Sequence, residues 1–235
     1  MGCKRIRILA ISDIHGRIHM LRRLGAALGE EPDLLLIAGD ITNFGTLSEA
    51  ESILKEALRQ IKPREGLVYV AGNCDPSELL DARLTPGDII GLHCTAVKKC
   101  GIVIGGIGGS TVTPFGTIVE FTEEEYATLL ERLRERWRAH DYEGCMRILL
   151  THEPPYDTDV DITRDGTHVG SKSLREFLER EEGIVLHVCG HIHEGRGTDL
   201  VGNVHIVNPG PLGRGFYAWI EINEAGRVTI RLEEV

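Results

Sequence analysis

Residues 5–15 read RIRILAISDIH, an apolar run that ends at an aspartate and, two positions later, a histidine. Its first part, Arg5–Ile11, is rich in β-branched residues and has the length of a buried strand, so a strand is predicted over these residues. Similar runs recur at 33–38, 67–71, 146–150 and 184–189, and helical patterns at 18–28, 47–60 and 171–181 separate them. Short apolar strands that alternate with helices predict an α/β fold with buried strands.

The remaining segments depart from this alternation. Residues 101–117 predict a strand and then a glycine-rich loop. The loop segment 105–116 is either a candidate lid over the site or a simple connection between two layers of the fold. A charged helix is expected over 122–138. Three further strands are predicted in the tail, at 203–207, 216–223 and 227–233. The period of two in the last strand and the turn at Asn223–Gly226 predict that the tail adds antiparallel strands.

Length and composition indicate a soluble globular protein with one domain over residues 1–235. Hydrophobic residues make up 42% and charged residues 26% of the chain, and no apolar run reaches the roughly 18 residues that span a bilayer. The run 6–11 is too short for a signal peptide, which predicts a cytoplasmic protein. The net charge of −10 argues against long nucleic acid as a partner. This net charge does not exclude a small phosphoester as substrate, because a bound metal ion can make the electrostatic potential of its site positive. A homo-oligomer is left open.

The cysteines and the scattered histidines suggest packing roles. The six cysteines form no C-x-x-C pair, so we expect buried thiols, although a Cys94–Cys100 bridge stays open. Isolated histidines on strands are usually structural. We apply this interpretation to His93, His140, His187 and His205.

Metal-type ligands follow five of the predicted strands. The first strand leads to Asp13 and His15, and the others lead in turn to Asp40, to Asn73, to His152, and to His191 with His193. Ligand sites of open α/β sheets lie at the carboxyl ends of the strands. Gly39, Gly72 and Gly190 each precede one of these residues, and a glycine there lets the backbone approach the site closely.

The donor set indicates two metal ions. Four imidazoles, two carboxylates and one amide exceed the needs of one tetrahedral zinc ion. Mixed nitrogen and oxygen donors suit Mn²⁺, Fe, Co²⁺, Ni²⁺ or Zn²⁺ better than Ca²⁺; we expect Mn²⁺ to support activity best. Two divalent ions, two aspartates and one hydroxide leave a net charge of about +1, because Asn73 is neutral. Such a site attracts a phosphate anion.

These motifs, in this order, resemble those of the calcineurin-like metallophosphoesterase superfamily over residues 5–210. The resemblance implies a four-layer α/β/β/α sandwich with two mixed β-sheets. It implies that one metal ion is held by Asp13, His15, Asp40 and His193, and that Asp40 bridges to a second ion held by Asn73, His152 and His191. It further implies phosphoester hydrolysis by a metal-bridging hydroxide, with the Asn73 amide stabilising the transition state.

One departure from the family pattern bears on the substrate. Many members carry a histidine, thought to protonate the leaving group, where this chain has Cys74, and Asp75 then lacks its usual partner. We therefore expect phosphodiesters or aryl phosphates to be better substrates than alkyl monoesters, with Asn73, Cys74 and Asp75 as candidate catalytic residues. His168 either binds substrate or belongs to a loop that leads into the helix at Ser171. The alternative function is a catalytically weak binding or scaffold protein on the same fold.

Overall fold

A computed structural model of the chain describes residues 5–81, 87–138, 142 and 144–235. In chain order its strands are β1 (Arg5–Ile11), β2 (Leu34–Ala38), β3 (Leu67–Val70), β4 (Ile89–Gly91), β5 (Thr95–Lys99), β6 (Ile102–Ile107), β7 (Ser110–Thr111), β8 (Glu120–Phe121), β9 (Arg147–Thr151), β10 (Ile184–Val188), β11 (Gly197–Val201), β12 (Val204–Asn208), β13 (Phe216–Asn223) and β14 (Val228–Glu234). The helices are α1 (Ile18–Ala27), α2 (Leu47–Ile61), α3 (Glu123–Trp137) and α4 (Lys172–Arg180).

Two six-stranded mixed sheets form the centre of the fold. The first has the strand order β14-β13-β1-β2-β3-β4, and the second has the order β11-β12-β10-β9-β6-β5. Strands β1 to β4 are parallel to one another, as are β6, β9, β10 and β12, while the outer strands β13, β14, β11 and β5 pair antiparallel with their neighbours. Strands β7 and β8 pair separately.

The apolar core lies in three layers, which give the four-layer arrangement. Alternate residues of β1, such as Leu9 and Ile11, pack with α1 and α2 on the outer face of the first sheet. Their neighbours Ile8 and Ala10 face the second sheet. The other face of the second sheet is covered by α3 and α4. The predicted α/β/β/α sandwich with two mixed sheets is therefore confirmed.

The helices begin where the sequence supplies a capping side chain. Thr46 and Ser171 each accept a hydrogen bond from the backbone N–H three residues later, at the starts of α2 and α4. Thr122 and Glu125 form a reciprocal capping box at the start of α3. Such caps satisfy backbone donors that the first helical turn leaves unpaired.

The tail differs in part from the prediction. Strands β13 and β14 are antiparallel additions to the first sheet, as expected. The prediction is wrong for β12, which belongs to the second sheet and pairs in parallel with β10. The reason is an unpredicted strand, β11, which forms a hairpin with β12 and reverses the chain before β12 begins.

Other expectations concern single residues and the membrane. Cys94 and Cys100 are not joined by a disulfide, and His187 is fully buried, as a structural histidine should be. Cys3 and His140 lie outside the described residues. Within the described part of the chain, no helix is long and apolar enough to cross a bilayer.

Candidate metal centre

All seven predicted ligands lie where the two sheets meet, at the carboxyl ends of their parallel strands. The first sheet supplies its ligands after β1, β2 and β3, and the second after β9 and β10. Backbone hydrogen bonds join the loops within each sheet, from Asp13 N–H to the Gly39 carbonyl at 3.1 Å and from Gly190 N–H to the His152 carbonyl at 3.0 Å. The loops that carry the ligands therefore hold one another in place.

Four candidate ligands adopt left-handed backbone conformations that non-glycine residues rarely occupy. The φ angles are 53° at Asp13, 47° at His15, 49° at Asp40 and 66° at His191. Each such residue costs roughly 1–3 kcal/mol, and such strain clusters at functional sites. The turns thus aim these side chains inward at a cost to folding stability.

The glycines before the ligands are required by close approach, as the sequence predicts. A Cβ atom on Gly39 would lie 2.5 Å from His152 Nδ1. A Cβ atom on Gly72 would collide with the backbone nitrogen and carboxylate of Asp40. These positions lack room for any side chain.

Asp40 lies between the two halves of the site. Its Oδ2 is 3.6 Å from His15 Nε2, and its Oδ1 is 3.5 Å from His152 Nε2. Cys74 N–H donates a hydrogen bond of 2.9 Å to Oδ1. The two oxygens of one carboxylate thus face histidines on opposite sides, which is the arrangement of a carboxylate that bridges two cations.

The first half of the site contains Asp13, His15 and His193. His193 Nε2 lies 3.2 Å from Asp13 Oδ1 and 3.3 Å from His15 Nε2. Burial alone would raise the pKa of Asp13, but the hydrogen bond from His193 and the charges of His152 and His193 hold it well below 3.8. Asp13 is therefore a carboxylate at neutral pH, and a single cation can contact all three side chains, whose candidate ligand atoms lie within 4.8 Å of one another.

The second half contains His152, Asn73 and His191, whose ring centroid is 4.9 Å from that of His152. His152 Nδ1 is 2.7 Å from the Ala38 carbonyl, which can only accept, so Nδ1 carries the proton and Nε2 faces the site. His152 Nε2 then lies 2.9 Å from Asn73 Oδ1. Burial and the nearby charge of His152 lower the pKa of His191 to about 4, so its imidazole is neutral at pH 7, the form that binds metals.

The donor arrangement fits a metal ion in this second half. His152 Nε2 and the amide oxygen of Asn73 are only 2.9 Å apart. Burial opposes the charge on His152, but the Asp40 and Asp13 carboxylates raise its pKa, so without a metal ion Nε2 carries a proton that it donates to Asn73, and with that proton removed both atoms would present lone pairs. A proton or a cation must lie between such atoms to make the contact favourable. Together with Asp40, these donors form the mixed nitrogen and oxygen set that suits first-row divalent metals.

Asn73 is oriented by a chain of hydrogen bonds that no sequence pattern predicts. Thr117 Oγ1 donates to Glu120 Oε1 at 2.5 Å and accepts a hydrogen bond of 2.7 Å from Asn73 Nδ2. Because the Thr117 proton is committed to Glu120, the amide must point its NH₂ group at Thr117 and its oxygen at His152. Thr113 donates a further hydrogen bond of 2.6 Å to Glu120. Nothing in the local sequence marks Thr117, which is 44 residues beyond Asn73.

Cys74 and Asp75 lie beside the candidate ligands but differ in what they contact. Asp75 is fully buried and accepts hydrogen bonds from the N–H groups of Ile41, Thr42 and Gly72, at 3.1, 2.7 and 2.8 Å. It ties the loop after β2 to the loop after β3. Burial and the nearby Asp40 carboxylate raise the pKa of Cys74 far above 9.0, so the thiol is a poor proton donor. Catalytic roles for both stay predictions.

His168 contacts a buried carboxylate rather than the predicted ligands. Its Nδ1 lies 2.6 Å from Asp161 Oδ1, and Asp161 also accepts hydrogen bonds from Thr158 N–H and Gly170 N–H, at 3.0 and 2.9 Å. These contacts organise the loop that leads into Ser171. A second residue that the sequence did not single out is Glu153, a fully buried acid directly after His152.

Comparison with known proteins identifies relatives of this chain. The sequence model of the calcineurin-like phosphoesterase family matches residues 6–195. An uncharacterized protein of Methanocaldococcus jannaschii is 36% identical over 213 residues, 88% of this chain and 89% of the relative. A crystal structure of a Thermus thermophilus protein has a TM-score of 0.69 at 19% identity, over 96% of this chain and 98% of the other. A dimetal phosphatase from Danio rerio has a TM-score of 0.57 at 13% identity, over 97% and 96%.

Proposed function

The chain belongs to the calcineurin-like phosphoesterase family, and from this premise we propose that it is a dimetal hydrolase of phosphodiesters and activated aryl phosphomonoesters. The observation that carries the proposal is Asp40, whose two carboxylate oxygens face His15 at 3.6 Å and His152 at 3.5 Å. A carboxylate placed in this way has the geometry to bridge two ions.

The ligand assignment follows the two halves of the site. One ion would be held by Asp13, His15, Asp40 and His193, and the other by Asp40, Asn73, His152 and His191. Two divalent ions, with Mn²⁺ expected to be the best for activity, would supply an activated water and would neutralise charge on the phosphoryl oxygens. The Ala38 carbonyl fixes the tautomer of His152, so that Nε2 of this histidine can bind an ion.

Asn73 has a second role in the proposal. Its amide is oriented by Thr117, and the second hydrogen on Nδ2 would donate to a phosphoryl oxygen and stabilise the charge that develops there. Asn73 is followed by Cys74, and the raised pKa of this thiol makes it a poor donor of a proton to the leaving group of the substrate. Substrates whose leaving groups depart without protonation, such as aryl esters, are therefore favoured.

Metal removal and a panel of three phosphoesters test this proposal. Protein treated with EDTA and then reloaded with Mn²⁺ should regain hydrolysis of bis(p-nitrophenyl) phosphate. Glycerol phosphate, an alkyl monoester, should react at least about tenfold more slowly than bis(p-nitrophenyl) phosphate, and p-nitrophenyl phosphate should fall between them. Equal rates for the alkyl monoester and the aryl diester would overturn the substrate preference.

A second candidate function is a catalytically weak scaffold on this fold. The observation that favours it is Cys74, a buried thiol where a proton donor is expected. A protein that binds two metal ions but hydrolyses none of the three esters would support it.

The proposal extends to the whole chain. Residues 1–235 would act as one catalytic domain, located in the cytoplasm, on a small phosphoester rather than long nucleic acid. The net charge of −10 supports this choice of substrate, since long nucleic acid would be repelled by most of the surface.

A further inference from the structure

An apolar cleft of about 400 Å³ adjoins the candidate metal centre. One wall is the segment 111–115, and the other contains Thr163, Val169 and Ile192. The candidate ligand His191 also lines it. A volume of this size holds a small organic group, and the shared histidine makes the cleft continuous with the predicted site of chemistry.

The cleft gathers large apolar side chains that are open to solvent. Phe115 is 83% exposed, Val112 is 63% exposed and Val169 is 39% exposed. Only three other large hydrophobic residues of the described chain are exposed, namely Phe44, Ile118 and Leu200. Apolar side chains that cluster in a concave site next to polar groups are typical of a surface that binds a ligand.

The cleft carries no full charge among its lining side chains. It contains threonines, apolar residues and one histidine, with no lysine, arginine, aspartate or glutamate. The nearby Arg164 is paired with Glu194 at 3.2 Å. A second phosphate or a carboxylate on the substrate would therefore find no cation among the residues that line this cleft, whereas an uncharged ring would replace water over the apolar wall.

The segment 111–117, which contains this wall, is hydrogen-bonded at one end to the residue after a candidate ligand and at the other end to a candidate ligand. Thr111 contacts the buried carboxyl group of Glu153 through its N–H at 2.9 Å and its Oγ1 at 3.1 Å, and Glu153 directly follows His152. At the other end, Thr117 accepts from Asn73. These contacts set the position of the wall relative to the ligands in the second half of the site, as a specificity pocket requires.

We propose that this cleft binds an uncharged aromatic group of the substrate while the phosphoryl group lies at the metal centre. The inference rests on the proposed function and narrows it to phosphoesters that carry an aryl group. Phe115 supplies an exposed ring face for stacking, and Val112, Val169 and Ile192 contact the edges of the bound group.

Calorimetric titration of the Mn²⁺-loaded protein with two non-hydrolysable phosphonates tests the cleft. Phenylphosphonate and methylphosphonate share the charged group and differ only in the organic arm. Burial of about half of a phenyl ring is enough for about tenfold tighter binding, so phenylphosphonate should bind at least tenfold more tightly. Equal affinities for the two ligands, or no binding of either, would overturn the inference.

Two variants locate the effect. Phe115→Ala should reduce the phenyl preference to threefold or less and leave methylphosphonate affinity within twofold, and because Phe115 is exposed the substitution should not disturb folding. Leu200→Ala is the matched control, since Leu200 is 55% exposed and lines no part of this cleft. A phenyl preference that survives Phe115→Ala, or that Leu200→Ala also abolishes, would contradict the assignment.

Hydrolysis of bis(p-nitrophenyl) phosphate by the same preparations separates the two proposals. A phenyl preference without hydrolysis supports the cleft and refutes the proposed function. Hydrolysis with equal phosphonate affinities overturns the cleft and leaves the proposed function in place.

Discussion

Replacement of Thr117 by valine should weaken the second metal site while leaving the first intact. Valine keeps the shape of threonine but removes the oxygen that accepts the 2.7 Å hydrogen bond from Asn73 Nδ2. The amide then loses the contact that directs its oxygen toward His152. The loop itself retains a hydrogen bond of 2.8 Å from Thr117 N–H to Glu120, so the backbone should not move.

The size of this effect follows from the contacts that are lost. A buried donor that loses its hydrogen-bond partner costs about 1–3 kcal/mol, and loss of a residue that orients a metal ligand typically costs about 10–100-fold in metal affinity. A 10–100-fold loss corresponds to about 1.4–2.7 kcal/mol, in agreement with the first figure. We therefore expect the weaker of two Mn²⁺ dissociation constants to rise about 10–100-fold and the tighter one to stay within threefold.

The assay is calorimetric titration of EDTA-treated protein with Mn²⁺, followed by kcat with bis(p-nitrophenyl) phosphate at saturating metal. Thr113→Val is the matched control. Thr113 also donates a hydrogen bond to the Glu120 carboxylate, but the Asn73 amide donates its hydrogen bond to Thr117 and not to Thr113. Metal binding like that of the native protein in Thr117→Val, or equal losses in the two variants, would refute the reasoning.

Three further substitutions test other parts of the structure. Gly72→Ala should abolish binding of both ions, because the new Cβ atom would collide with Asp40. Metal content measures this effect. The control is Gly29→Ala, which should bind metal normally because its Cβ atom would meet nothing within 4 Å. His187→Leu should flatten the pH dependence of stability, measured by urea unfolding. Burial lowers the pKa of His187 from 6.5 in the unfolded chain to about 3 in the folded protein, so the unfolded state takes up a proton first as the pH falls below 6.5. The native protein should therefore lose about 2 kcal/mol of its free energy of unfolding between pH 7 and pH 5 because of this residue. Equal pH dependence of the free energy of unfolding in the native protein and the variant would contradict this. Cys74→His should raise kcat for glycerol phosphate relative to Cys74→Ser, and an unchanged rate would remove the missing acid as the cause of weak monoesterase activity.

Strands and ligands that are encoded locally could be predicted from the sequence. The run Arg5–Ile11 and the segment Phe216–Asn223 are strands with the predicted bounds, because each contains a stretch of four or five consecutive apolar residues that favour strands, 8–11 in the first and 216–220 in the second. The glycines before Asp40 and Asn73 marked tight turns at strand ends, and the structure brings these ligands together. Each of these signals spans only a few neighbouring residues.

Features that depend on tertiary contacts could not be predicted. Strand β4 has three residues, too few for a period, and β5 (TAVKK) is a half-exposed edge strand without an apolar run. The parallel pairing of β12 depends on the hairpin with β11. The contact of Thr117 with Asn73 and the apolar cleft each join loops that lie far apart in the chain, so no local pattern announces them.

The most direct test of the dimetal proposal is to count and characterise the ions bound by the protein. We predict two Mn²⁺ ions per chain by elemental analysis and an electron paramagnetic resonance spectrum of a magnetically coupled pair, with coupling lost in Asp40→Asn. One ion per chain, or two ions without coupling, would contradict a centre bridged by Asp40.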